Sequence, residues 1–144
     1  MAILEVIFGF VLMGITLEIF WTSIIDSTKK GDLKLTGKTY LWMFPVYAIV
    51  PLIYILILPE FNHTNIFFRG IIYMFSFYLL EFISGWLIKK LVKVSPWDYE
   101  GYSINIFGKK YKSNINGLIC LEYAPIWFLY GILGEFYFKF LIAL

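Results

Sequence analysis

Tyr78–Tyr99, YLLEFISGWLIKKLVKVSPWDY, is the stretch on which the fold turns. Its first half is an apolar run suited to a membrane-spanning helix, with Glu81 set inside it. Its second half leaves through Lys89, Lys90 and Lys93 and ends on Pro96-Trp97-Asp98-Tyr99. A carboxylate at membrane depth costs about 2.5–3.5 kcal/mol on insertion scales and more in simulations, so a chain that keeps one pairs it, hydrates it or uses it.

The rest of the chain agrees with a membrane reading. Of its 144 residues 60% are hydrophobic, 22% aromatic and 15% charged, and the mean hydropathy is +0.77. Soluble domains sit near ~45–50% apolar and ~25% charged. The fold class expected is all-α: a polytopic membrane protein, one domain over residues 1–144, with four transmembrane helices of about 20 residues each. The spans read as 2–25, 39–58, 66–91 and 118–141, with one long cytoplasmic loop, 92–117, between the third and fourth. No signal-peptide layout precedes Asp26, and Glu5 interrupts the start, so the first span is read as retained. Pro45 and Pro51 fall inside the second span and predict kinks. Ile104, Ile106 and the Gly108 turn suit a short hairpin within 102–111. The net charge of +2 gives no reason to invoke nucleic acid. Cys120 stands alone, which excludes an internal disulfide and suits a small buried hydrophobe. His63 reads as a solvated connector residue.

Orientation follows from the basic residues. Lys29, Lys30, Lys34, Lys38, Lys89, Lys90, Lys93, Lys109, Lys110 and Lys112 fall in the first and third loops, leaving Arg69 and Lys139 for the other side. By the positive-inside rule those two loops face the cytoplasm and both termini face out.

Position along a span converts to depth at about 1.5 Å per residue. Glu18 then lies about 10 Å from the cytoplasmic end of its span, Glu81 about 15 Å and Glu122 about 6 Å. Three acids from three helices thus share the inner half of the bilayer, with Trp42 and the Trp97-Asp98-Tyr99 segment approaching the same layer. No cation lies among them, so they must be protonated, share protons or bind something cationic. The outer half holds Glu5, Arg69 and Glu135, and an ion pair from Arg69 to one of those acids is the expected structural tie.

Several segments together resemble a known family. They are Leu35-Thr36-Gly37 with Leu41-Trp42-Met43-Phe44-Pro45-Val46-Tyr47, and Arg69-Gly70-Ile71-Ile72-Tyr73 with Glu81-Phe82-Ile83-Ser84-Gly85. Trp97-Asp98-Tyr99 follows, then Asn114 to Trp127, NINGLICLEYAPIW. In order and content they are similar to the transmembrane protein 229 family of animals and to the related bacterial proteins labelled ABC-transporter type IV, or CmpB-like. The resemblance spans nearly the whole chain and departs from the family pattern at an insertion of roughly Ser103 to Lys112. It implies a small multi-pass membrane protein associated with transport, and it adds Asn114, Asn116 and Trp127 to the candidate binding residues. Nothing resembles an ATP-binding subunit, so any use of ATP calls for a partner.

The leading expectation is a transport component or small-solute binder. Glu18, Glu81 and Glu122 would converge on an acidic pocket open to the cytoplasm and lined by Trp42 and Trp97, suited to an organic cation. An enzyme acting on a lipid or isoprenoid headgroup is the second reading, with Asp98 as the natural partner of Glu81 for acid–base work or for a divalent ion. A structural or assembly protein held by polar helix contacts is the third. Partners expected are the lipid bilayer and a second copy or a larger membrane protein. The sequence names neither cargo nor cofactor.

Overall fold

The computed structural model describes residues 3–31 and 33–144, apart from the side chains of Asp26, Lys29, Lys30 and Ile106. The start of the first span at Ala2 and the loop residue Asp32 therefore lie outside the described residues. Four long helices dominate: α1 Ile3–Lys30, α2 Met43–Phe61, α3 Ile66–Val92 and α4 Ala124–Ala143. The described residues are 69% helical, and the four helices supply four segments long and apolar enough to cross a membrane: Ile3–Ile25, Met43–Phe61, Ile66–Val92 and Leu121–Ala143.

The helices differ from the spans read in sequence most clearly at three places, although the membrane-capable part of α1 ends at Ile25 as expected. Helix α1 continues past residue 25 to Lys30, because nothing in Asp26-Ser27-Thr28 stops a helix once it is underway. The Thr28 hydroxyl donates to Ile24 O and Ile25 O, both at 2.9 Å, and Gly31 then breaks the helix at φ +66°. Helix α2 begins at Met43 rather than at residue 39. Pro45 thus falls in its first turn, where a missing N–H costs nothing, while Pro51 lies in mid-helix and Pro59 in the last turn. Residues 118–123 are not part of α4. They form a short strand and a 3-10 turn, because Asn114–Ile115 captures Ile119–Cys120 as a strand partner.

The chain divides into two compact units, one up to Tyr54 with Phe138–Leu144 and one of Ile55–Tyr137. The first unit centres on the rings of Phe10, Tyr54 and Phe138, with centroids 5.5–6.4 Å apart. Its loop lies back along α1. Ser23 Oγ donates to Leu35 O at 2.6 Å, and Thr22 Oγ1 donates to Lys38 O and accepts from Lys38 N–H, both at 2.9 Å. Gly37 permits the approach, since a Cβ there would meet the Ile19 carbonyl at 2.2 Å.

In the second unit α3 and α4 approach at Gly70 and Gly131, where a Cβ would stand 2.5 Å from the Phe128 ring and 2.3 Å from Tyr73 Cβ respectively. Small residues at a crossing are the usual device of helices that lack a hydrophobic drive to associate. Polarity runs inward: Arg69, Tyr73, Glu81 and Glu135 are buried while Phe75, Leu79, Leu129, Leu133 and Phe136 are exposed. A water-soluble unit would invert that pattern, whereas lipid rewards it. The α3–α4 connection carries two small antiparallel sheets, β1 Ser103–Ile106 with β2 Lys109–Lys112, and β3 Asn114–Ile115 with β4 Ile119–Cys120. Phe107 at φ +50° and Gly108 at φ +80° make the first turn, and left-handed values at both centres match the right-handed twist of the strands.

Candidate functional site

Glu81 is the residue around which the second unit's polar interior is arranged. It lies on α3 and is 8% exposed. Tyr99 donates its hydroxyl to Oε1 at 3.0 Å. Oε2 is buried and meets no hydrogen-bond partner. The Trp127 indole, from α4, interacts with the same carboxylate, but its buried Nε1 lies outside hydrogen-bond geometry. The arrangement is a carboxylate with one oxygen accepting a hydrogen bond and the other buried near an indole N–H that does not complete one. A buried acceptor left this way costs about 1–3 kcal/mol.

The segment that supplies Tyr99 is held by its neighbours. Trp97 packs on Gly85, where a Cβ would come within 2.9 Å of its ring, and donates Nε1–H to Leu118 O at 2.9 Å. Two residues beyond that anchor, Tyr99 N–H donates to Gly117 O at 2.9 Å. Asp98 is exposed and uses Oδ1 to accept from Glu100 N–H at 2.9 Å, a local turn. Asn114 braces the same loop by donating Nδ2–H to Glu100 O and Tyr102 O, each at 3.2 Å, and by accepting from Gly117 N–H at 3.3 Å. Above the carboxylate, Tyr99, Tyr102 and Tyr123 stack edge to face, with centroids 5.5–6.4 Å apart. Burial pushes the Tyr99 phenol above its ordinary range and the adjacent Glu81 adds to the shift, so Tyr99 remains a donor. Burial likewise pushes the Cys120 thiol up, which keeps it a neutral core residue.

The other acids meet different surroundings. Glu122 sits on the 3-10 turn Leu121–Tyr123 rather than within α4, and accepts from Ser113 Oγ at 2.6 Å. Glu18, in the first unit, accepts on Oε2 from Thr39 Oγ1 at 2.7 Å and from the Tyr47 hydroxyl at 3.2 Å. Gly14 leaves room for the Tyr47 ring, which a Cβ there would meet at 2.4 Å. Trp42 belongs to the first unit and is exposed, as is Glu5. Asn116 is left-handed at φ +53°. Among the described residues no group of three His, Cys, Asp or Glu side chains forms a metal-ligand set.

Arg69 and Glu135 are brought together in the second unit. The guanidinium grips the carboxylate with Nε–H on Oε2 at 2.8 Å and Nη2–H on Oε1 at 2.9 Å. Nη1 donates to the carbonyls of Asn62 and Thr64 in the connector before α3, and the Tyr73 hydroxyl donates to Oε2 at 2.8 Å.

Glu81, Tyr99 and Trp127 are all among the sequence's candidates; Asp98 is Glu81's partner there only in the enzyme reading, and the residue that hydrogen-bonds Glu81 is Tyr99. Sequence reasoning passed over Tyr102, Tyr123 and Tyr73. Tyr73 was detectable, since it lies one turn after Arg69 on the same helix face. Tyr102 and Tyr123 carried no such signal, because the loop's hydrogen bonds bring them to Tyr99 from distant positions.

No solved structure matches the chain. The family model described as "Putative ABC-transporter type IV" matches residues 6–143. The match takes in all four membrane-capable helices and the loop that covers Glu81, and the chain belongs to that CmpB-type family of transporter-related membrane proteins.

Proposed function

We propose that this multi-pass membrane protein is a transport component whose second unit binds an organic cation at Glu81. The observation that carries the reading is the buried Oε2 without a hydrogen-bond partner, on a carboxylate whose neighbours are aromatic. Tyr99 and Trp127 flank it, and Phe77, one turn earlier on α3, stacks on Trp127 with centroids 5.8 Å apart. A carboxylate among π faces suits an ammonium or a substituted amine, which gains Coulomb and cation–π attraction together. A metal ion would ask for several oxygen ligands. Here the neighbours offer rings. All three acids accept hydroxyl donors, at 2.6–3.2 Å, but among them Glu81 is the one with a buried oxygen that has no hydrogen-bond partner.

The Trp97-Asp98-Tyr99 segment acts as the cover, and lifting Tyr99 opens the site toward the α3–α4 connection. The lysine bias puts that connection in the cytoplasm. A cysteine placed at Ser103, with Cys120 replaced by alanine, should react with an impermeant maleimide only after the membrane is permeabilised. Labelling of intact cells would reverse the orientation.

Binding is tested on purified protein in detergent, by calorimetric titration with tetramethylammonium and n-butylammonium. Saturable binding is expected, weakened at least about tenfold in Glu81→Gln, a loss of about 1.4 kcal/mol, with the thermal midpoint preserved. Binding that is absent in the parent, or equal in the two proteins, would sink the cation site.

A further inference from the structure

A concavity of about 310 Å³ lies toward the C-terminal end of α3, lined by Phe82, Trp86, Lys89, Lys90, Asn116 and Leu118. Its chemistry is opposite to that at Glu81: two ammonium groups, one amide and apolar side chains. None of the hydrogen bonds that build the Glu81 site uses these side chains. Lysines in the last turn are expected near any helix C-terminus and near any cytoplasmic membrane edge. Those tendencies explain the charge but not the concavity, nor the residues that complete it.

The order of the lining residues along α3 is informative. Phe82, Trp86 and Lys89 or Lys90 follow at helical spacing, so one face passes from apolar through amphipathic aromatic to cationic over about 12 Å. Lys90 Nζ stands 4.9 Å from the Trp86 ring centroid, which holds the ammonium over the concavity instead of letting it extend into solvent. Opposite the helix, the β3–β4 turn contributes Asn116 in its left-handed conformation and Leu118. Leu118 is 3% exposed and its carbonyl accepts from Trp97, so that wall is fixed by the core. A site graded in this way is shaped for an amphiphile with an anionic head.

We infer that this concavity binds the phosphate of an anionic phospholipid. Lys89, Lys90 and Asn116 would hold the head, Trp86 the glycerol level, and Phe82 with Leu118 the upper acyl chain. The inference goes beyond the cation site and does not depend on it. Lipid at this place would join α3 to the β3–β4 turn and so brace the loop that carries Tyr99.

The test uses the full chain in dodecylmaltoside, titrated with phosphatidylglycerol, phosphatidylcholine or sn-glycerol 3-phosphate and read by native mass spectrometry and tryptophan fluorescence. Phosphatidylglycerol should bind stoichiometrically and at least about tenfold more tightly than phosphatidylcholine. The pair Lys89→Gln/Lys90→Gln should remove that preference. Asn116→Gly, which tolerates the left-handed backbone while deleting the amide, should weaken it several-fold without loss of fold. The pair Lys109→Gln/Lys110→Gln removes the same charge from the exposed hairpin and should leave the preference intact. The inference is overturned if the hairpin pair weakens binding as much as the helix pair, which would mean a diffuse basic surface. Glycerol 3-phosphate competing as well as the lipid would also overturn it, since the acyl chain would then have no part. Neither result would bear on amine binding at Glu81.

Discussion

Glu135 and Glu81 lie in the same unit, on helices packed against each other, and are 1% and 8% exposed. Their surroundings differ in kind. Glu135 receives three hydrogen bonds at 2.8–2.9 Å, two of them from a guanidinium whose remaining donor is spent on backbone carbonyls. The three side chains of that cluster come from helices α3 and α4, and the two carbonyls from the short connector before α3. Glu81 receives one hydrogen bond, at 3.0 Å, from a phenol carried by a loop, and keeps a second oxygen without a partner. A buried charge that is fully paired within rigid elements has nothing left to offer a ligand. A buried carboxylate half-used by a loop side chain does. The contrast separates an acid that ties helices from one that can bind.

The largest expected effect comes from breaking the tie. Arg69→Met takes the bidentate guanidinium away from the buried Glu135, and a buried ion that loses its partner typically destabilises by about 3–5 kcal/mol. Adding Glu135→Leu removes the stranded charge, so the double variant should recover most of the loss. Equilibrium unfolding in micelles measures both. A single variant within about 1 kcal/mol of the parent, below the range expected for a broken buried pair, would mean the two carboxylates do not differ as described.

A smaller effect is expected from crowding the two neighbourhoods. At Gly131 a new Cβ would stand 2.3 Å from Tyr73 Cβ, deep in a helix–helix contact, so Gly131→Ala should cost about 1–3 kcal/mol. At Gly85 the obstacle is the Trp97 ring at 2.9 Å, which rides on a loop and can retreat. Gly85→Ala should therefore cost less than Gly131→Ala, while disturbing amine binding more. The reverse order in thermal unfolding would place the rigidity at Glu81 instead.

Much of this contrast was readable before any coordinates. An arginine just inside a span needs an acid at similar depth, and counting 1.5 Å per residue leaves few choices. The four spans follow from length and composition alone. Their ends do not, because a helix stops where its backbone is diverted and not where the membrane ends. Gly31 diverts α1 beyond residue 25, and Leu118-Ile119-Cys120-Leu121 reads equally as a helix turn or as a buried strand until Asn114–Ile115 is seen to pair with it. The choice of Tyr99 over Asp98 was also hidden. Adjacent residues in an extended segment point to opposite sides, and only the anchors at Trp97 and Gly117 decide which side faces α3. The hairpin of residues 103–112 showed through Gly108, yet what its exposed lysines do is not implied by the fold.

The smallest effect is also the one that tells the two acids apart. Glutamate-to-glutamine changes shape hardly at all, removes a negative charge and exchanges one acceptor for a donor. At position 135 the new amide would face Arg69 across 2.8–2.9 Å, donor against donor, leaving a guanidinium buried without its counter-ion. A loss of several kcal/mol is expected there, by the same reasoning as for any broken buried pair. At position 81 the amide oxygen can keep the Tyr99 hydroxyl, and the amide nitrogen takes the Oε2 side, where the nearby Trp127 N–H makes no hydrogen bond that the change would break. No cation is stranded, and the desolvation cost of a carboxylate is relieved. Glu81→Gln should therefore shift unfolding by no more than about 1 kcal/mol in either direction, the size of one ordinary hydrogen bond. The same variant should lose amine binding, so stability and function separate at this residue and move together at Glu135. If Glu81→Gln unfolds the protein as readily as Glu135→Gln does, Glu81 is a second helix tie and the cation site at Glu81 falls with it.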